Sequence, residues 1–196
     1  MTEGELSHLS RDELVERLTR LERENCRRSC AGALGSTLGA LIVAAAVAVL
    51  ICTLWLPVLR IYGGSMTPTV QEGEVVVCVK TGDLRPGDVA AFYLGNKLLV
   101  KRCIAGPGQW VDMDEAGIVS LDGTVLEEPY LQAHAPGAHD LAFPCQVPEG
   151  RWFCMGDNRA LSVDSRHSAV GFVAQEQVVG RVVFRVWPLS RFGRVN

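Results

Sequence analysis

Leu98-Leu99-Val100-Lys101-Arg102-Cys103-Ile104 places two cations inside an apolar, strand-forming run. Side chains alternate between the faces of a strand, so Lys101 falls with Leu99 and Cys103, and Arg102 with Val100 and Ile104. Two cations on opposite faces of a half-buried strand cannot both be ordinary surface residues. Around this run the chain is a succession of short β-branched segments cut by turn residues. Residues 74–80, 88–93 and 98–104 are predicted strands, with a turn at Arg85-Pro86-Gly87-Asp88. Residues 118–126 are a predicted hairpin about Asp122-Gly123, and residues 143–147 and 151–155 a second one across Pro148-Glu149-Gly150. A strand over 178–186 closes the series, and residues 128–142, which hold Pro129, Pro136 and Gly137, are a predicted irregular loop. No helical pattern intervenes, which makes the fold class mainly β, an antiparallel β-sheet domain.

A different pattern precedes it. Ser10-Arg11-Asp12-Glu13 has the spacing of a helix capping box, and Leu14, Leu18 and Leu21 follow at helical spacing. That apolar stripe could support weak self-association, but Asn25 and Arg28 interrupt its next positions, which favours a solvated juxtamembrane helix. No charged residue occurs between Ser29 and Leu59, a stretch long enough to span a bilayer, which takes about 20 apolar residues. Arg20, Arg23, Arg27 and Arg28 precede it and only Arg60 closely follows, which predicts a cytoplasmic N-terminus. The expected organisation is a cytoplasmic juxtamembrane helix over 1–30, a single transmembrane helix over 31–59, and an extracytoplasmic β-rich domain over 60–196, at the cell membrane and in contact with its lipid.

With 196 residues and a formal charge of -3, the chain has room for one anchor and one domain and offers no basic surface for nucleic acid. Its seven cysteines show neither zinc-type spacing nor a small secreted disulfide framework, and no metal or cofactor is expected. The second predicted hairpin sets Cys145 opposite Cys154, a pair that a disulfide could join if the register is right.

Three segments can carry chemistry. Gly63-Gly64-Ser65-Met66-Thr67-Pro68-Thr69 sets a hydroxyl among glycines, where a substrate carbonyl could approach backbone N–H groups closely. Ser65 lies six positions after Leu59, so it stays within roughly 20 Å of the outer end of the expected span. Lys101 is the candidate base, with a strand-edge lysine reaching for solvent as the alternative. At a reference pKa of about 10.4 only about one lysine in 250 is neutral at pH 8, and a shift of about two units makes a third neutral. The polar segment 156–166 supplies carboxylates for Arg102 and a second hydroxyl, Ser162. A Ser65, His167, Asp164 triad is the competing arrangement.

Taken together, these segments resemble the bacterial type I signal peptidases, membrane-anchored Ser/Lys endopeptidases. Ser65-Met66-Thr67-Pro68-Thr69, Arg85-Pro86-Gly87-Asp88-Val89, Lys101-Arg102 with Gly106-Pro107-Gly108, and Gly156-Asp157-Asn158 with Ser162, Asp164-Ser165-Arg166 and Gly171-Phe172-Val173 follow the family's motifs in order. The resemblance implies that Ser65 attacks and that unprotonated Lys101 takes its proton. Ser162 would orient the amine, while Gly64, Asp157, Asp164, Arg102 and Arg166 support the site. Exported preproteins would be cut after small residues, with Ile61, Met66, Ala91 and Val100 lining small pockets. Gly63 stands where some members carry a serine that donates to the oxyanion, which leaves the Ser65 N–H as the main donor. A specialised protease for pilin or other surface-protein precursors would share every motif, and a non-catalytic single-pass ectodomain is the reading outside enzymes.

Overall fold

Val75-Val76-Val77-Cys78-Val79 becomes a strand because its β-branched side chains fit a pleated surface, and it buries alternate residues, Val76 and Cys78, completely. The computed structural model describes residues 15–16, 19–20, 22–23, 37–50 and 54–195. The chain divides into two units, Met1–Ile51 and Cys52–Asn196. In the first, the described residues are helical, with one continuous helix over 37–50 and an exposed ion pair between Glu16 and Arg20 one turn apart. Among the described residues no helix is long and apolar enough to cross a membrane. The capping box at Ser10, the stripe Leu14, Leu18 and Leu21, and residues 31–36 and 51–53 of the expected 31–59 span lie outside the described residues, and the expected helix does not reach 59, because Val58 and Leu59 are in a strand of the second unit.

Among the described residues the second unit holds twelve strands: β1 (Val58–Arg60), β2 (Val75–Val79), β3 (Val89–Leu94), β4 (Lys97–Ala105), β5 (Trp110–Met113), β6 (Val119–Leu121), β7 (Thr124–Val125), β8 (Cys145–Gln146), β9 (Arg151–Met155), β10 (Val173–Ala174), β11 (Val178–Trp187) and β12 (Gly193–Arg194). The larger sheet runs β1-β2-β11-β3-β4-β9-β10 with β12 on β11, and the smaller runs β7-β6-β5-β8. All pairings are antiparallel, as expected from the absence of helical crossovers. The β6–β7 hairpin turns at Asp122 and Gly123, both at positive φ (51° and 82°), the conformation that favours an Asp-Gly pair there.

The second predicted hairpin does not form. β8 pairs with β5 in the smaller sheet, whereas β9 pairs with β4 and β10 in the larger. Pro144 and Pro148 flank β8 and lack N–H groups, so its ladder is short and the chain changes sheets at the intervening turn. Cys145 therefore faces Val111 and Cys154 faces Cys103, and the expected Cys145–Cys154 bridge is absent because the two lie in different sheets; all four described cysteines are free thiols. Residues 128–142 are irregular as expected, but buried charges pin them, as the next section describes.

Candidate active site

The nucleophile turn leaves β1 and closes on itself. Ile61 N–H donates to Glu74 O and Gly73 N–H to Ile61 O, which draws the ends of the turn together, and Thr67 N–H donates to Gly64 O inside it. Gly63 has φ +80°, a backbone that other residues rarely adopt. At Gly64 the space is open: an added Cβ would meet only Thr67 Oγ1, at 3.7 Å. Ser65 N–H makes no hydrogen bond among the described residues and stays free to donate.

Lys101 reaches this turn from β4. Its Nζ donates to Ser65 Oγ at 2.7 Å, and the residue is only 3% exposed, which settles the choice between a strand-edge lysine and a buried one. Burial lowers its pKa below the ordinary 10.5, with Arg166 acting in the same direction and the Asp164 and Asp157 charges opposing. On the other face of β4, Arg102 makes two parallel hydrogen bonds to Asp157 (2.9 and 2.8 Å), donates to Gly87 O, and lies 3.9 Å from the centre of the Tyr130 ring. Thr69 Oγ1 donates to Asp157 Oδ2, so the carboxylate ties the nucleophile turn to β4.

The segment after β9 supplies the rest. Asn158 N–H donates to Ser65 O at 3.0 Å and Asn158 Nδ2 to Gly64 O. Asp164 accepts from Gly156 N–H and from Arg166 Nε and NH2. Burial pushes its carboxyl up, but the Arg166 hydrogen bonds and charge and the Gly156 N–H bring it below its ordinary value. Ser162 is 1% exposed, yet the expected hydrogen bond to the lysine amine is not formed. Its Oγ lies against Gly156, where an added Cβ would come within 2.2 Å, and has no partner of good hydrogen-bond geometry, although its nearness to Asp164 helps hold that carboxyl down.

Of the expected pocket residues, Ile61, Met66 and Val100 line a cavity of about 400 Å³ that also includes Ser65 and Lys101. Ala91 is opposite Val100 in the ladder but lies in the apolar core, outside the lining. The histidine arrangement fails. His167 Nδ1 accepts from Ala169 N–H and is 3.7 Å from Asp140, while Asp164 is taken up by Arg166. Sequence reasoning missed Glu128, Tyr130 and Arg159. Buried Arg159 makes two hydrogen bonds to the Glu128 carboxylate, and Tyr130 Oη donates to Glu128 as well. Arg166 donates to Ala135 O and Pro136 O, so residues 128–136 are held against the site by buried guanidiniums. An arginine directly after Gly156-Asp157-Asn158 was the available signal, since a buried guanidinium requires an anion.

The family described as "Signal peptidase, peptidase S26" matches residues 34–187. Signal peptidase IB of Staphylococcus aureus (strain COL) is 38% identical over 152 residues, covering 67% of this chain and 78% of that protein. Signal peptidase I T of Bacillus subtilis (strain 168) is 32% identical over 164 residues, covering 77% of this chain and 84% of that protein. A crystal structure of a signal peptidase I from Enterococcus faecalis V583 shares 29% identity and a TM-score of 0.41, covering 50% of this chain and 96% of that one.

Proposed function

Since the chain belongs to the signal peptidase family, peptidase S26, we propose that Ser65 and Lys101 are the nucleophile and general base with which it removes N-terminal signal peptides from exported preproteins. The chain is a serine endopeptidase by its family. The observation that carries the residue assignment is the 2.7 Å contact from Lys101 Nζ to Ser65 Oγ, made by a buried lysine whose pKa is lowered. A neutral amine at that distance takes the hydroxyl proton as Oγ attacks the scissile carbonyl. The ammonium so formed protonates the leaving amine, and the neutral amine then activates the water that hydrolyses the acyl-enzyme. Ser65 N–H, left without a partner by the turn among the described residues, is the donor to the oxyanion, and Gly63 adds no side-chain donor.

Ile61, Met66 and Val100 give the cleft apolar walls, which suits cleavage after small residues because a larger side chain would overpack them. A transmembrane helix anchors the protein in the membrane and in contact with its lipid, with the preceding segment in the cytoplasm and the β-rich domain outside; because Val58 and Leu59 belong to β1, the helical part of the anchor ends before them rather than at 59. The uncharged stretch 29–59 supports this, as does the exposure of Leu38, Leu41, Ile42, Val43, Val47 and Leu50 on the helix over 37–50, an apolar surface that calls for apolar surroundings. The test is cleavage of a preprotein by the full chain in detergent micelles. Ser65→Ala and Lys101→Ala each abolish turnover while the chain stays folded, and the double variant is no worse because the two act as a unit. Near-normal turnover by Lys101→Ala refutes the assignment.

A further inference from the structure

Cys103 on β4 and Cys154 on β9 are direct partners across the antiparallel ladder. Their backbone groups point away from one another. Cys103 N–H donates to Asp88 O, and its carbonyl accepts from Gly87 N–H; Cys154 N–H donates to Ser165 Oγ, and its carbonyl accepts from Ser165 N–H. This makes them a non-hydrogen-bonded pair, the type in which Cα atoms approach to about 4.5 Å and side chains lie closest. That separation falls within the range of about 4.4–6.8 Å that a disulfide spans. Both residues are fully buried in one apolar cluster. Cys78 faces Val182 and Cys145 faces Val111, so neither of the other described cysteines has a thiol across its ladder.

We propose that Cys103 and Cys154 are a disulfide site that cross-links the strand carrying Lys101 and Arg102 to the strand that runs into Gly156 and Asp157. Oxidation is by thiol–disulfide exchange with an external disulfide. One cysteine thiolate attacks a sulfur of that disulfide and expels the first thiolate; the second cysteine thiolate attacks the protein sulfur of the mixed disulfide and expels the other. The dithiol loses two electrons, the external disulfide gains them, and the two thiol protons end on the two expelled thiolates. In the folded chain both sulfurs are shielded, and the contact with Cys154 together with burial pushes the Cys103 thiol up, so the attacking thiolate is scarce. Exchange therefore precedes closure of β4 on β9, and the bridge forms during folding. Once made, it fixes the register between the base and the segment whose Asn158 holds the Ser65 carbonyl.

The full chain is refolded into detergent micelles in a buffer of reduced glutathione and glutathione disulfide, its remaining thiols are alkylated under denaturing conditions, and peptides are mapped without reduction. The expected result is one linked pair joining the Cys103 and Cys154 peptides. Reductant then lowers Tm by about 5–15 °C in the wild type and leaves Cys103→Val unaffected. Full alkylation of both cysteines after refolding, or a bridge from either one to Cys78 or Cys145, overturns the proposal. Peptide mapping reads the bond whether or not the valine variant folds.

Discussion

Asn158 N–H donates to the carbonyl of Ser65 at 3.0 Å, so the segment leaving β9 holds the backbone of the nucleophile itself. One residue earlier, Asp157 accepts from Arg102 and from Thr69, which links the same turn to β4. Asp157→Ala leaves the Arg102 guanidinium buried without its carboxylate, an error that costs about 3–5 kcal/mol. Chemical denaturation of the variant in micelles should show that loss, with cleavage falling alongside it. A variant as stable as wild type would mean that the other contacts of Arg102, Gly87 O, Thr69 Oγ1 and the Tyr130 ring among them, suffice for it.

Lys101 provides a pH signature in two readouts. Because its pKa is lowered, cleavage rises with pH through a value below 10.5 as the neutral amine is populated. Stability follows the same group. Between the lowered folded value and that of the unfolded chain, the unfolded state binds more protons, so unfolding free energy climbs with pH across that window and is lost as pH falls through it. Lys101→Met should remove this component, read as the difference between the Tm-versus-pH curves of variant and wild type. Parallel curves would mean that Lys101 is not perturbed.

Two glycines near Ser65 should respond oppositely. A Cβ at Gly156 would come within 2.5 Å of Ser65 O and 2.2 Å of Ser162 Oγ, and the backbone contact cannot be relieved by rotating a side chain. Gly156→Ala therefore displaces the nucleophile turn, and a misplacement of about 1 Å costs turnover on the order of 100-fold. At Gly64 an added Cβ meets only Thr67 Oγ1 at 3.7 Å, so Gly64→Ala should melt within a few degrees of wild type. If the substrate carbonyl passes close to this backbone, its KM rises while Tm holds. Equal kinetics for the two alanine variants would contradict this placement.

The β strands and the anomaly of Lys101 and Arg102 were legible because alternation along one strand depends only on neighbours in sequence. The partner of Arg102 was narrowed to the carboxylates of 156–166 by charge alone. Arg159 carried a signal that was not used, but its pairing with Glu128 was not legible, since both lie between strands and nothing local says that a loop glutamate meets a guanidinium across 31 positions. The partner of Cys154 failed for a related reason. A hairpin assigns partners from turn length, but β8 and β9 belong to different sheets, and the ladder to β4 depends on the whole sheet order. Ser162 was identified from its segment, but whether its hydroxyl meets the amine is a matter of side-chain geometry that sequence does not encode.

Glu74 tests how the nucleophile turn is held from its far side. The carboxylate, 3% exposed, accepts from Arg185 NH1, from Arg191 NH1 and from Gln71 N–H. The same arginines also hold the turn, Arg185 NH1 donating to Thr69 O and Arg191 NH2 to Pro68 O. Arg191→Ala removes one guanidinium that is a third exposed, so its loss is that of charge-assisted hydrogen bonds, about 1.5–3 kcal/mol. Glu74→Ala leaves the nearly buried Arg185 beside Arg191 with no carboxylate between them, at a cost of about 3–5 kcal/mol. Because the three side chains share one network, the double variant Glu74→Ala, Arg191→Ala should lose less than the sum of the single losses, since removing Arg191 relieves the repulsion that Glu74→Ala creates. Denaturant titration of the four proteins measures this directly. Additive losses, or a Glu74→Ala variant no less stable than Arg191→Ala, would mean that Glu74 does not neutralise the pair.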